Sequence, residues 1–173
     1  ALLDATDALA RYDQMLKGMH NNEIFLAPLR GQEALASSRM EGTFSTLEEV
    51  LELDSEADPD LKDLEEYRME AVETYLYGRA LRAARQQIQE GRPFSKALIR
   101  EMHQLLLSFS RGRTKTPGQF KTEQNYVGTR GSTNISFIPI SPEQLEGGLD
   151  QLLDFLEHGS LPPLLRVAIG HLE

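Results

Sequence analysis

Residues able to do chemistry are few in this chain, and their spacing removes most familiar reactions. The four histidines, His20, His103, His158 and His171, lie far apart, and none has a second His or a Cys at metal-ligand spacing. Cysteine is absent, so there is no thiolate nucleophile and no disulfide framework. No glycine-rich phosphate loop or nucleophile elbow occurs. The carboxylate pairs Glu48-Glu49 and Glu65-Glu66 are adjacent in sequence, so on a helix they point to different sides and read as solvated faces. What remains is Ser37-Ser38-Arg39-Met40-Glu41-Gly42. Its plainest use is a capping box, Ser38 capping a helix start and Glu41 returning the bond, worth on the order of 1 kcal/mol. The same geometry permits another use. Ser37 and Glu41 are four apart and share a face of a short helix. A carboxylate held rigidly there is an anion able to pair with an Arg meant for a ligand phosphate.

The elements that must position this segment are mostly helical. Leu9, Tyr12 and Leu16 give Leu2 to Leu16 a helical period, and a second helix is expected from Ile24 to Ala36, interrupted by the N-cap residues Ser37-Ser38. Ser45 with Glu48 reads as a further capping box before Leu47, Val50 and Leu51. Asp54 to Asp60, with Pro59, reads as an acidic loop. A long helix from about Leu61 to Glu90 carries Leu64, Tyr67, Ala71, Val72, Tyr75, Leu76 and Leu81 on one stripe, and Gly91 and Pro93 end it. Ser95 opens the next helix, with Leu98, Ile99, Met102, Leu105 and Leu106 on its buried face. Ser108 to Phe120 is a basic loop.

Between Gln124 and Ile140 the period shortens. Asn125-Tyr126-Val127 and Ile135-Ser136-Phe137-Ile138 read as two strands joined by a Gly/Ser/Thr/Asn-rich turn. Pro142 starts a helix with Leu145, Leu149, Leu152, Leu153 and Leu156; Gly159 breaks it, and Pro162-Pro163 opens a last one with Leu165, Val167, Ile169 and Leu172. The expected fold is all-α with one β-hairpin. An isolated hairpin is marginal in water, so it leans on the helices or is kept for a task.

Bulk properties exclude further classes. The 173 residues, 40% apolar with a mean hydropathy of −0.40, suit a globular protein with a real core. A net charge of −9, from 18 Lys and Arg against 27 Asp and Glu, with no basic stripe, argues against nucleic-acid binding. No run approaches the roughly 20 apolar residues of a membrane span. The start Ala1-Leu2-Leu3-Asp4 has no signal-peptide pattern and lacks Met, as an internal segment would. The absence of Cys fits a reducing cytoplasm.

The stretch Glu33-Ala34-Leu35-Ala36-Ser37-Ser38-Arg39-Met40-Glu41-Gly42-Thr43, followed by Ser45-Thr46-Leu47-Glu48-Glu49-Val50-Leu51, resembles the inhibitory region of class II Fic proteins. The family pattern, Ser/Thr, three residues, Glu, then Gly/Asn, is matched by Ser37, Glu41 and Gly42. Pro117-Gly118-Gln119-Phe120-Lys121-Thr122 and Gln124-Asn125-Tyr126-Val127-Gly128 are similar to the run entering the Fic flap, with Tyr126 where Trp is more frequent. Ile138-Pro139 and Pro142-Glu143-Gln144-Leu145 fit the exit from the flap, and Leu161 to Ala168 fits the helix before the catalytic loop. The family's His-Pro-Phe…Gly-Asn-Gly-Arg signature occurs nowhere here. His171 is not its His, since Leu172 and Glu173 follow.

The resemblance implies a Fic-type helical bundle with a flap. Residues 1–60 would form an N-terminal helical region with an inhibitory helix near 37–43, and 61–173 the first part of the Fic domain with a flap near 124–140. It also implies that the natural polypeptide continues past Glu173 into the catalytic loop, so this chain alone is expected to be inactive. The implied activity is transfer of AMP from ATP, with Mg2+, to a hydroxyl of a target protein. Glu41 would obstruct the nucleotide site, and Asn125, Tyr126, Val127, Gly128, Ile135, Ser136, Phe137 and Ile138 would hold the target. ATP and the target protein are the implied partners, with room for a homodimer; no residue here is assigned to catalysis or metal. Two alternatives stand beside it: a different phosphate-group transfer or AMP removal by the same fold, and an antitoxin-like helical module supplying Glu41 to a separate Fic protein.

Overall fold

One long helix, Met69–Gln89, supplies most of the buried residues that organise the fold. The computed structural model describes residues 1–55, 63–109, 113–128 and 134–172. Within them the chain forms α1 (Leu2–Lys17), α2 (Glu23–Met40), α3 (Leu47–Ser55), a 3₁₀ turn (Asp63–Glu66), α4 (Met69–Gln89), α5 (Lys96–Leu107), β1 (Val127–Gly128), β2 (Ile135–Phe137), α6 (Pro142–His158) and α7 (Pro163–Gly170). The fold is all-α with one hairpin. Most of the acidic loop, the expected start at Leu61, part of the basic loop and the hairpin's connecting loop lie outside the described residues.

Ala71, Val72, Tyr75 and Leu76 of α4 pack with Leu53 of α3, Leu64 of the 3₁₀ turn and Phe109 in one buried cluster. Each fully buried leucine contributes about 1.5–3 kcal/mol relative to exposure. One and two turns further along α4 the buried residues are Ala80 and Ala84, whose small side chains admit α5, the helix with which α4 packs most extensively. Leu81, expected on the buried stripe, is 36% exposed, because the α5 contact turns the stripe toward those alanines. On α5 only Leu98 is fully buried among the expected face; Ile99, Met102, Leu105 and Leu106 are half-buried. α2 and α3 also pack on α4, whereas no residue of α1 is buried.

Several sequence expectations change at element ends. α2 runs through Ser37-Ser38 without a break: the side chains of these serines are taken up by contacts to its own helix and to the core side, so they cap nothing. The box expected at Ser45 and Glu48 is made one residue later, where Thr46 N–H donates to Glu49 Oε2 (2.7 Å) and Glu49 N–H to Thr46 Oγ1 (3.2 Å). Ser45 instead is buried, donating to Thr74 Oγ1 at 2.9 Å. The helix expected from Leu61 is a 3₁₀ turn and a separate helix from Met69, with Arg68 extended between them. Ser95 does cap α5, accepting from Leu98 N–H, and Pro142 does open α6.

The hairpin is shorter than expected. Val127 pairs with Phe137 and Gly128 with Ile135, antiparallel, with an irregularity between them. Asn125, Tyr126 and Ile138 lie outside the strands. Among the described residues no helix is long and apolar enough to cross a membrane.

Candidate functional site

The end of α2 is built as a Schellman motif. Thr43 N–H donates to Ser38 O (2.8 Å) and Gly42 N–H to Arg39 O (3.0 Å), with Gly42 at φ +81°. This closure requires a left-handed residue just past the helix, a conformation that Gly and, next, Asn adopt most readily. The Gly/Asn choice in the pattern thus has a backbone cause. It also corrects the expected geometry: Glu41 is the C-cap of an 18-residue helix, not the third residue of a short new one, and the Ser38–Glu41 capping box is not made.

The connector after Gly42 is fastened to α4. Thr43 Oγ1 donates to Glu73 (3.4 Å), and Arg68 donates to the Phe44 carbonyl (2.6 Å) and pairs with Glu49 (3.1 Å). Ser45 and Thr74 share their buried hydroxyl bond, Thr74 in turn donating to Glu70 O. The Glu49 carboxyl is held below the ordinary carboxylate range, first by the Thr46 N–H and then by the Thr46 hydroxyl and Arg68, against partial burial.

Ser37, four residues before Glu41, turns the other way. Its hydroxyl donates to Glu33 Oε1 at 2.7 Å, and the Tyr77 hydroxyl from α4 donates to the same oxygen at 2.9 Å. Burial pushes the Tyr77 phenol up, the anionic Glu33 adds to this, and Ser37 opposes it. Sequence reasoning passed over Tyr77, although it lies off the core stripe of α4; Glu33 could have been found from its helical i, i+4 spacing to Ser37.

Together these residues wall a cavity of about 580 Å3, lined by Ser37, Ser38, Met40, Glu41, Thr43, Glu73, Tyr77, Leu106, Leu107 and His171. Glu41 is exposed at it, and its carboxylate makes no hydrogen bond or ion pair among the described residues. His171, the C-cap of α7, reaches the same cavity from the other side of the chain. α7 is fixed on α6 by Arg166, whose guanidinium caps the α6 end by donating to the carbonyls of Leu156 and Glu157. The lining carries two carboxylates and neither Lys nor Arg, so it does not by itself suit a triphosphate. No three His, Asp or Glu side chains converge among the described residues.

The hairpin is a separate feature. Val127, Ile135 and Phe137 are 51%, 53% and 59% exposed, and Tyr126 and Ile138 are exposed beside them. Ser136 donates to the Val127 carbonyl at 2.9 Å. The structure does not bring the hairpin residues into the Glu41 cavity.

These elements define an all-helical protein with an exposed hairpin, whose N-terminal helices end over a cavity shared with its last one. Residues 1–86, which run from α1 well into α4, match the model of the Fic/DOC family N-terminal region, and the chain belongs to the Fic family. No curated protein matches the chain.

Proposed function

We propose that this chain is the regulatory and substrate-positioning part of a protein adenylyltransferase, autoinhibited by Glu41. In the proposed reaction a target hydroxyl oxygen attacks the α-phosphorus of ATP. The new O–P bond forms as the bond to the β-phosphate oxygen breaks, pyrophosphate leaves, and the hydroxyl proton passes to the signature His. That His, the phosphate-binding Arg and the holders of ATP and Mg2+ belong to the signature loop, which these residues lack. The observation that carries the reading is Glu41 itself, a carboxylate with no partner among the described residues, on a closed helix end and lining a cavity that the end of α7 also lines. An Arg entering that cavity would pair with it. The γ-phosphate would then lose its partner, and the reacting atoms, which must lie within about 3–3.5 Å and aligned, would be out of line. The hairpin, with exposed strands, would take the target backbone as an added strand. ATP and the target protein are the proposed partners, and the cytoplasm the proposed compartment.

The test is Glu41→Gly in the full natural protein, read as incorporation of labelled AMP into the protein itself or a lysate, with Glu41→Gln separating charge from shape. Transfer should rise by at least about tenfold, as expected when one charged partner of roughly 1.5–3 kcal/mol is removed. A folded, ATP-binding Glu41→Gly protein whose transfer is unchanged or lower would overturn the inhibitory role.

A further inference from the structure

Both backbone polar groups of Gly118 are held by one face of α5. Its N–H donates to His103 Nδ1 at 2.9 Å, and its carbonyl accepts from Arg100 Nε at 2.7 Å. Arg100 and His103 are three residues apart and so share a helix face. The Arg100 guanidinium also lies over the Phe120 ring, 5.5 Å from its centroid, tying a second residue of the same segment. Gly118 is buried with φ +77°. A Cβ there would lie 2.9 Å from Gln104 Cβ and 3.2 Å from the Arg100 carbonyl oxygen. Glycine is thus required twice, for conformation and for space. Because the Gly118 N–H donates, His103 Nδ1 offers its lone pair and the ring proton sits on Nε2.

We infer that His103 is a positioning residue for the hairpin: with Arg100 it seats Gly118 on α5 and fixes where the chain leaves the helices to enter β1. Beyond this seat, Gln124 joins the two hairpin roots, donating to Pro139 O at 2.8 Å and Asn125 O at 2.9 Å. The strands themselves are short, two residues of β1 and three of β2, and all five are exposed, so an isolated ladder of this size is marginal and its position depends on its roots. Only the functional meaning of the seat rests on reading the hairpin as the target clamp.

The experiment compares His103→Leu with His103→Asn in the full natural protein. Leu removes the acceptor and strands a buried N–H, whereas Asn places Oδ1 where Nδ1 stood. Amide exchange at residues 118–128 and 134–140 should be at least about tenfold faster in His103→Leu and near wild type in His103→Asn. With ATP, the KM for the target should rise in His103→Leu and recover in His103→Asn. Unchanged exchange in His103→Leu overturns the seat, as does equal acceleration throughout α5, which would make His103 merely structural. Should His103→Leu not fold, imidazole 15N shifts of the unaltered protein decide: a proton on Nε2 supports the seat, and a proton on Nδ1 overturns it. Val127→Pro, which removes a strand donor, tests the clamp separately. Normal transfer by Val127→Pro alongside fast exchange in His103→Leu would keep the seat and remove the clamp.

Discussion

Replacing Gly42 by alanine isolates backbone strain from packing. Gly42 has φ +81°, and a Cβ placed on it meets nothing within 4 Å. The cost is therefore that of holding an L-residue in the left-handed region, about 1–2 kcal/mol. Alanine also narrows the unfolded chain, which offsets about 0.4–1 kcal/mol. The net loss should be near 1 kcal/mol, a fall in Tm of about 2–4 °C at this chain length. Gly91, at φ +95° and equally open, should behave alike. Gly118→Ala should cost more, by about 1–3 kcal/mol, because its Cβ would lie 2.9 Å from Gln104 Cβ. Gly42→Asn should be milder than Gly42→Ala, since asparagine tolerates the left-handed region. Urea midpoints and calorimetry of the four variants read the series. A Gly42→Ala protein with an unchanged midpoint, or Gly42→Asn worse than Gly42→Ala, would refute the Schellman explanation of that position.

Two further outcomes follow from the bonds around the site. Because the Glu49 carboxyl is lowered on folding, its contribution is present above the ordinary carboxylate range and lost as pH falls through its depressed folded value; the Tm gap between the unaltered protein and Glu49→Gln should therefore close on acidification, and a gap constant with pH would count against the Thr46–Glu49 box. Tyr77→Phe and Ser37→Ala each remove one donor from the same Glu33 oxygen; each should cost about 1–2 kcal/mol, and a double-mutant cycle on denaturant midpoints should show a coupling above about 0.5 kcal/mol, whereas strict additivity would deny the shared acceptor.

How much was legible in the sequence follows from how local each cause is. Apolar period and breaker residues revealed the helices, because burial on one face is written every third or fourth residue. Ser95 and Pro142 were legible because their effects are confined to one turn. Ser37-Ser38 was not. A serine pair reads as a cap only if the preceding helix ends, and here Glu33, a turn earlier, absorbs the Ser37 hydroxyl while the core side buries Ser38. Thr46 outcompeted Ser45 as a cap because Thr74, 29 residues away, claimed the Ser45 hydroxyl. The Glu41 motif was visible as a pattern, but its cavity depends on α2, α4, α5 and the end of α7 meeting. The seat of Gly118 was hidden for the same reason, its partners lying 15 and 18 residues back on α5.

Placing Glu41 at the end of α2, and not at the start of a new helix, reverses the electrostatic sense of the site. A helix N-terminus carries partial positive charge and welcomes anions; a C-terminus presents carbonyl oxygens and carries partial negative charge. Glu41 therefore adds a full negative charge to an end already negative, offset in part by Arg39 in the last turn. Helix polarity and side chain act together: both disfavour a phosphate and both favour a guanidinium. A substitution that merely neutralises Glu41 leaves the carbonyl half of this field in place. Under the proposed inhibitory role, Glu41→Gln should accordingly raise transfer less than a change that also loosens the final turn of α2.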